Sequence, residues 1–143
     1  MKTMKRTYLD ANVLIAAFRG EEQIAERALK VLDDPDRALM VSDYLRLEVF
    51  PKPTFHKRHE EIEFMRAVFA HAAEIVPTSD ELTERAVELA SRYDMTPIDA
   101  LHVGAAVVAG ADELVTMEKP TKPMCRVSEV KVVSIHSDAE SGQ

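Results

Sequence analysis

Short apolar runs with strand character alternate along this chain with segments of helical period, and no other feature restricts the fold as much. Residues 6–9, 38–41, 74–76, 113–116 and 131–135 read as strands. Between them, residues 22–32 repeat apolar side chains at helical spacing through Ile24, Ala25, Ala28, Leu29 and Leu32. Further helices are expected over 12–18, ended by Gly20, over 43–50, stopped by Pro51 and Pro53, and over 55–73, with Ile62, Met65, Val68 and Phe69 inward. Thr78-Ser79-Asp80-Glu81 reads as a capping box, opening a helix with Leu82, Ala86, Val87, Leu89, Ala90 and Tyr93 inward. Thr96-Pro97 opens the next, which runs to Ala109 and closes on Gly110. Strands separated by helices pair in parallel through crossovers, so the expected fold is α/β, a three-layer α/β/α domain with a central parallel sheet.

The 143 residues suit one domain over residues 1–136, with residues 137–143 expected as a disordered tail. A single cysteine, Cys125, excludes an internal disulfide and a cysteine-based zinc site, which fits a reducing, cytoplasmic compartment. The longest nearly apolar run, 100–111, is broken by His102 and is too short to span a membrane. The basic start (Lys2, Lys5, Arg6) resembles that of a signal peptide, but Asp10 and Asn12 interrupt the apolar stretch that should follow. The net charge of −7 argues against holding nucleic acid by bulk attraction. It leaves room for a nuclease that binds a divalent cation through carboxylates and gathers its basic residues locally.

Four carboxylates stand where a site would form. Asp10 follows a strand and precedes a helix, the end of an open α/β sheet at which ligands collect, although Asp there also serves as an N-cap. Asp99 lies in the first turn of a helix that is otherwise apolar nearly all round. A buried carboxylate is costly unless paired or metal-bound, yet Thr96-x-x-Asp99 also has the form of a capping box. Glu48 sits among large apolar residues, and by itself reads as a helix-surface glutamate, with Arg46 as a possible partner. It differs from the charged run Glu60, Glu61 and Glu63, which has a surface character. Glu118 follows the strand 113–116 by two residues. His102 reads as a satisfied core or surface histidine and stays outside the expected site.

Carboxylates converging at one end of a sheet repel, and a hard divalent cation compensates them. Such an ion suits phosphodiester hydrolysis. No His/Cys cluster has zinc spacing, and the chain carries no Gly-x-Ser-x-Gly elbow, P-loop or dinucleotide fingerprint. Residues 51–59 hold Lys52, His56, Lys57, Arg58 and His59 with Phe55 and no acid; with Lys119 and Lys122 they form basic islands suited to phosphates.

Tyr8-Leu9-Asp10-Ala11-Asn12-Val13-Leu14-Ile15 resembles the opening motif of PIN-domain proteins. Pro97-Ile98-Asp99-Ala100-Leu101-His102-Val103-Gly104-Ala105-Ala106 resembles their third acidic motif. Leu114-Val115-Thr116-Met117-Glu118 is similar to their strand ending in Thr-x-Asp, and the segment from Ser42 to Glu48 to the one bearing their glutamate. The resemblance implies a parallel sheet flanked by helices and an acidic pocket for Mg2+ or Mn2+. It implies RNA cleavage, with Asp10 and Asp99 as metal ligands, Glu48 completing the pocket directly or through water, and Asn12 and Thr116 shaping it by hydrogen bonds; Glu118, which departs from the family's Asp, is expected as the fourth member of the catalytic set. Many small members are toxins of the VapC type, paired with a short antitoxin, and many form homodimers. The expected function is a metal-dependent endoribonuclease, the toxin of a toxin–antitoxin pair. Glu118 stands where Asp is usual, which motivates an alternative: a non-catalytic PIN-like module binding RNA or protein. A third reading is a metal-dependent phosphoesterase acting on a small substrate.

Overall fold

The computed structural model describes residues 3–141. Five strands form one sheet: β1 (Lys5–Leu9), β2 (Arg37–Ser42), β3 (Glu74–Val76), β4 (Glu113–Thr116) and β5 (Lys131–Ser134). Their order is β3-β2-β1-β4-β5, and every pairing is parallel. The chain thus builds outward from β1 on one side, then returns to add β4 and β5 on the other. The reversal lies between β1 and β4, the place where open α/β sheets form a ligand crevice.

Helices α1 (Ala11–Arg19), α2 (Glu22–Leu32), α3 (Asp43–Val49), α4 (Pro51–Phe55) and α5 (His59–His71) follow β1 and β2. Helices α6 (Asp80–Tyr93) and α7 (Pro97–Val108) join β3 to β4. Successive strand side chains point to opposite faces, so each face has its own core. Leu9, Val41 and Val115 pack with α1, α2, α3 and α5, whereas Tyr8, Met40 and Leu114 pack with α6 and α7. Each fully buried Leu or Val contributes about 1.5–3 kcal/mol, which makes these two layers the main support of the site.

Several expectations change at the level of elements. The helix expected over 55–73 is broken, because Lys57 adopts a left-handed φ of 56° between α4 and α5. Pro51, expected to stop the helix over 43–50, follows the end of α3 at Val49 and also starts α4, where its missing N–H costs nothing. Glu61 is no surface acid: it is buried and receives Arg19 Nε at 2.8 Å, tying α5 to α1. Val87, expected inward, is exposed, since α6 turns only Leu82, Ala86 and Leu89 fully to the core. A 3-10 turn over Pro123–Arg126 and a short helix α8 (Ser137–Ser141) were not anticipated. The expected tail begins with α8, and residues 142 and 143 lie outside the described residues. Among the described residues, no helix is long and apolar enough to cross a membrane.

Candidate functional site

Asp10 occupies the step from β1 to α1 in extended conformation (φ −76°, ψ 152°). Its backbone N–H donates to Val115 O across the sheet at 3.0 Å, which fixes it beside the end of β4. Its Oδ1 accepts from the Ala11 N–H at 2.8 Å, and its Oδ2 accepts from the Thr116 hydroxyl at 2.8 Å. The side chain thus caps α1 with one oxygen and is tied to β4 by the other, and it is only 5% exposed. Burial pushes the Asp10 carboxyl above the usual carboxylate range, and the Asp99 charge pushes the same way. A positive charge on the nearby His102 ring would oppose that rise, and the bonds from Thr116 and Ala11 do oppose it.

Asn12 and Thr116 brace this corner. Asn12 Oδ1 accepts from the Met117 N–H at 2.9 Å, and its Nδ2 lies 3.3 Å from Thr116 Oγ1. The Glu118 N–H donates to the same hydroxyl oxygen at 3.0 Å, folding the chain back as it leaves β4. Thr116, fully buried, thus gives its hydrogen to Asp10 while its oxygen receives two N–H groups.

Asp99 sits in the first turn of α7, its N–H 3.4 Å from the Thr96 hydroxyl that caps the helix. Among the described residues its carboxylate accepts no protein hydrogen bond and pairs with no Lys or Arg; its charge reaches Asp10 and Cys125. Burial pushes the Cys125 thiol upward, and the charges of Glu118, Asp10 and Asp99 push it the same way. Glu118 is partly exposed and sits 4.0 Å from Lys122 Nζ.

Glu48 reaches the same region from α3, where its carboxylate meets His102 Nε2. Asp10, Glu48 and His102 each offer a ligand atom, all within 4.8 Å of one another. Sequence reasoning left His102 out. Its signal was position: it lies three residues after Asp99, hence on the same side of a buried helix, and is the other polar interruption there. Buried His102 also stands 2.7 Å from the Tyr8 hydroxyl through Nδ1.

The carboxylates of this cluster fit a divalent cation, since oxygen ligands suit magnesium or manganese. Asp10 is buried, with no Lys or Arg partner among the described residues. Not every buried acid is of this kind. Glu113, at the opposite end of β4, takes Arg37 Nε at 2.9 Å and the Thr7 hydroxyl at 2.7 Å, a complete structural arrangement. The basic island follows α3 directly, and Lys52, Lys57, Arg58 and Phe55 are all exposed.

A family model for the PIN domain matches residues 7–120. Among solved structures, the chain superposes on a toxin–antitoxin complex from Klebsiella pneumoniae with a TM-score of 0.70 at 23% identity, covering 90% of this chain and 96% of that one. It also superposes on VapBC2 from Rickettsia felis, bound to a DNA fragment from their promoter, with a TM-score of 0.70 at 15% identity, covering 90% and 98%. A third similar structure is DNA-bound VapBC from Salmonella typhimurium, with a TM-score of 0.64 at 14% identity and coverage of 92% and 98%. At these identities the likeness is one of fold. No curated protein matches the chain.

Proposed function

Because the chain belongs to the PIN domain family, we propose that it is a metal-dependent endoribonuclease and the toxin of a toxin–antitoxin pair. The observation that supports this most is Asp10: a buried carboxylate at the crevice between β1 and β4, with the Glu48 carboxylate beside it and the Asp99 charge within its reach. Asp10 and Asp99 would hold Mg2+ or Mn2+, with Glu48 completing the pocket and Glu118 at its rim. When bound, the ion would polarise the phosphate and lower the pKa of an attacking water. The reaction is hydrolysis: water adds to phosphorus, the bond to the leaving sugar oxygen breaks, and that oxygen takes up a proton.

The chain's own residues prepare that step. Thr116 and the Ala11 N–H fix both oxygens of Asp10, so its direction is set before substrate arrives. Lys52, Lys57 and Arg58 offer exposed positive charge for phosphates flanking the cut, and exposed Phe55 offers a stacking face for an unpaired base. Such local charge offsets the net charge of −7. The similar structures include toxin–antitoxin assemblies, which supports an antitoxin as partner here; a homodimer in the cytoplasm completes the proposal.

Cleavage of an RNA panel with Mg2+ or Mn2+ tests the activity, with EDTA and matched DNA as controls. Metal-dependent cutting of RNA is expected. Glu118 motivates the second reading, a non-catalytic RNA- or protein-binding module, since its carboxylate leans toward Lys122. That reading predicts RNA binding without cutting and no Mn2+ heat in calorimetry.

A further inference from the structure

We propose that His102 is a positioning residue for Glu48, held in its Nε2–H tautomer by a one-way hydrogen-bond chain that starts at the N-cap of α3. The proposal rests on the reading of this pocket as a cation site in that Glu48 is one of its carboxylates. Four groups make the chain. Ser42 Oγ accepts from the Leu45 N–H at 3.1 Å, capping the helix that carries Glu48. The same hydroxyl lies 2.6 Å from the Tyr8 hydroxyl, which lies 2.7 Å from His102 Nδ1. On the other side of the ring, Nε2 meets the Glu48 carboxylate. Ser42, Tyr8 and His102 are all buried, so water does not substitute for a missing partner.

The direction of the chain follows from counting hydrogens. An ionised carboxylate only accepts, so the ring nitrogen facing Glu48 carries the hydrogen. Nδ1 is then an acceptor, and Tyr8 donates to it. The Tyr8 oxygen accepts from Ser42, whose own oxygen accepts from Leu45. Every hydrogen has an acceptor. In the opposite direction Nδ1–H donates to Tyr8, Tyr8 donates to Ser42, and the Ser42 hydrogen has no further acceptor among the described residues. A ring carrying both hydrogens meets the same fault at Ser42. The reversed tautomer also sets the bare Nε2 lone pair against a carboxylate oxygen, leaving both without a hydrogen.

The consequence concerns Glu48. Its side chain is 32% exposed on a seven-residue helix, and without a donor it would sample water. His102 holds one oxygen and leaves the other for the pocket. The same bonds link β1, the start of α3 and α7, the segments that bring Asp10, Glu48 and Asp99 together. His102 therefore acts through Glu48 and does not itself ligate the ion.

Long-range 1H–15N correlation spectra of the histidine-labelled full chain, at pH 8 with and without Mg2+, read the tautomer directly. The Nε2–H pattern is expected for His102 in both conditions. A hydrogen on Nδ1 alone, or on both nitrogens, in either condition overturns the proposal. Calorimetry with Mn2+ supplies a second readout. An amide N–H of Gln reaches the place of Nε2, whereas Asn reaches only that of Nδ1. His102→Asn should weaken Mn2+ binding about tenfold, with His102→Gln recovering most of that loss at equal melting temperature. Equal loss in both variants, or none in either, overturns it. Absence of Mn2+ binding by the unaltered chain would defeat the proposed function, while the spectrum of the metal-free protein still decides the tautomer.

Discussion

At Asp10 the needs of the fold and those of the site pull in opposite directions. Its carboxyl is raised by burial in the folded state. A raised carboxyl favours the folded state when protonated, below its unfolded value, and that contribution is lost as pH rises through the folded value. The ionised form therefore destabilises the metal-free protein at neutral pH. Asp10→Asn should raise the melting temperature in EDTA at pH 7.5, by the equivalent of about 1 kcal/mol, and the gain should fade as pH falls toward about 4. A lower melting temperature at pH 7.5 would contradict the account. Thr116→Val keeps the shape but leaves Asp10 Oδ2 without its donor. It should cost about 1–3 kcal/mol in urea unfolding, and its full recovery of stability would argue that the bond does little. The position of Asp10 between β1 and α1 was legible from sequence, because a strand end beside a helix start marks the crevice. His102 was not, because its role depends on Tyr8 and Ser42, which lie 94 and 60 positions away in sequence and meet it only after the sheet forms.

Among the elements, α7 carries the site and must lie close to α6. Gly104 is buried where they meet, and a methyl there would find Ala86 N and Leu82 O at 3.5 Å and Ala86 Cβ at 3.6 Å. Those are ordinary contacts, and alanine favours a helix interior by about 0.5–1 kcal/mol. Gly104→Ala should therefore be neutral to stabilising in thermal melts, and a marked loss would show that α6 and α7 pack closer than described. Helical spacing made α2 readable, and short apolar runs between helices marked β1, β3 and β4. The break at Lys57 was not readable, because a left-handed residue in a polar loop leaves no periodic mark. The exposure of Val87 was equally hidden: it lies one residue past Ala86, round the helix from the Leu82, Ala86 and Leu89 stripe that α6 turns to the core.

The whole molecule separates structural from chemical charge by placing them at opposite ends of the sheet. Glu113 with Arg37 and Thr7 closes one end, and the acidic pocket opens at the other. Glu113→Gln should cost about 3 kcal/mol in stability, as expected for breaking a buried pair, yet leave Mn2+ affinity within about twofold. Loss of affinity without loss of stability would mean that the two ends are coupled. The sequence separated these acids only in part, since Glu113 and Glu118 flank the same strand and only the register shows which one faces Arg37. The central claim is that Asp10 and Asp99 serve a metal-dependent cut in RNA. It is tested most directly by the rate of RNA cleavage across a Mn2+ titration for the unaltered chain, Asp10→Asn and Asp99→Asn side by side. The account predicts a rate that rises with Mn2+, vanishes in EDTA, and falls at least about a hundredfold in each variant. Cleavage that persists in EDTA, or that both variants retain, would contradict it.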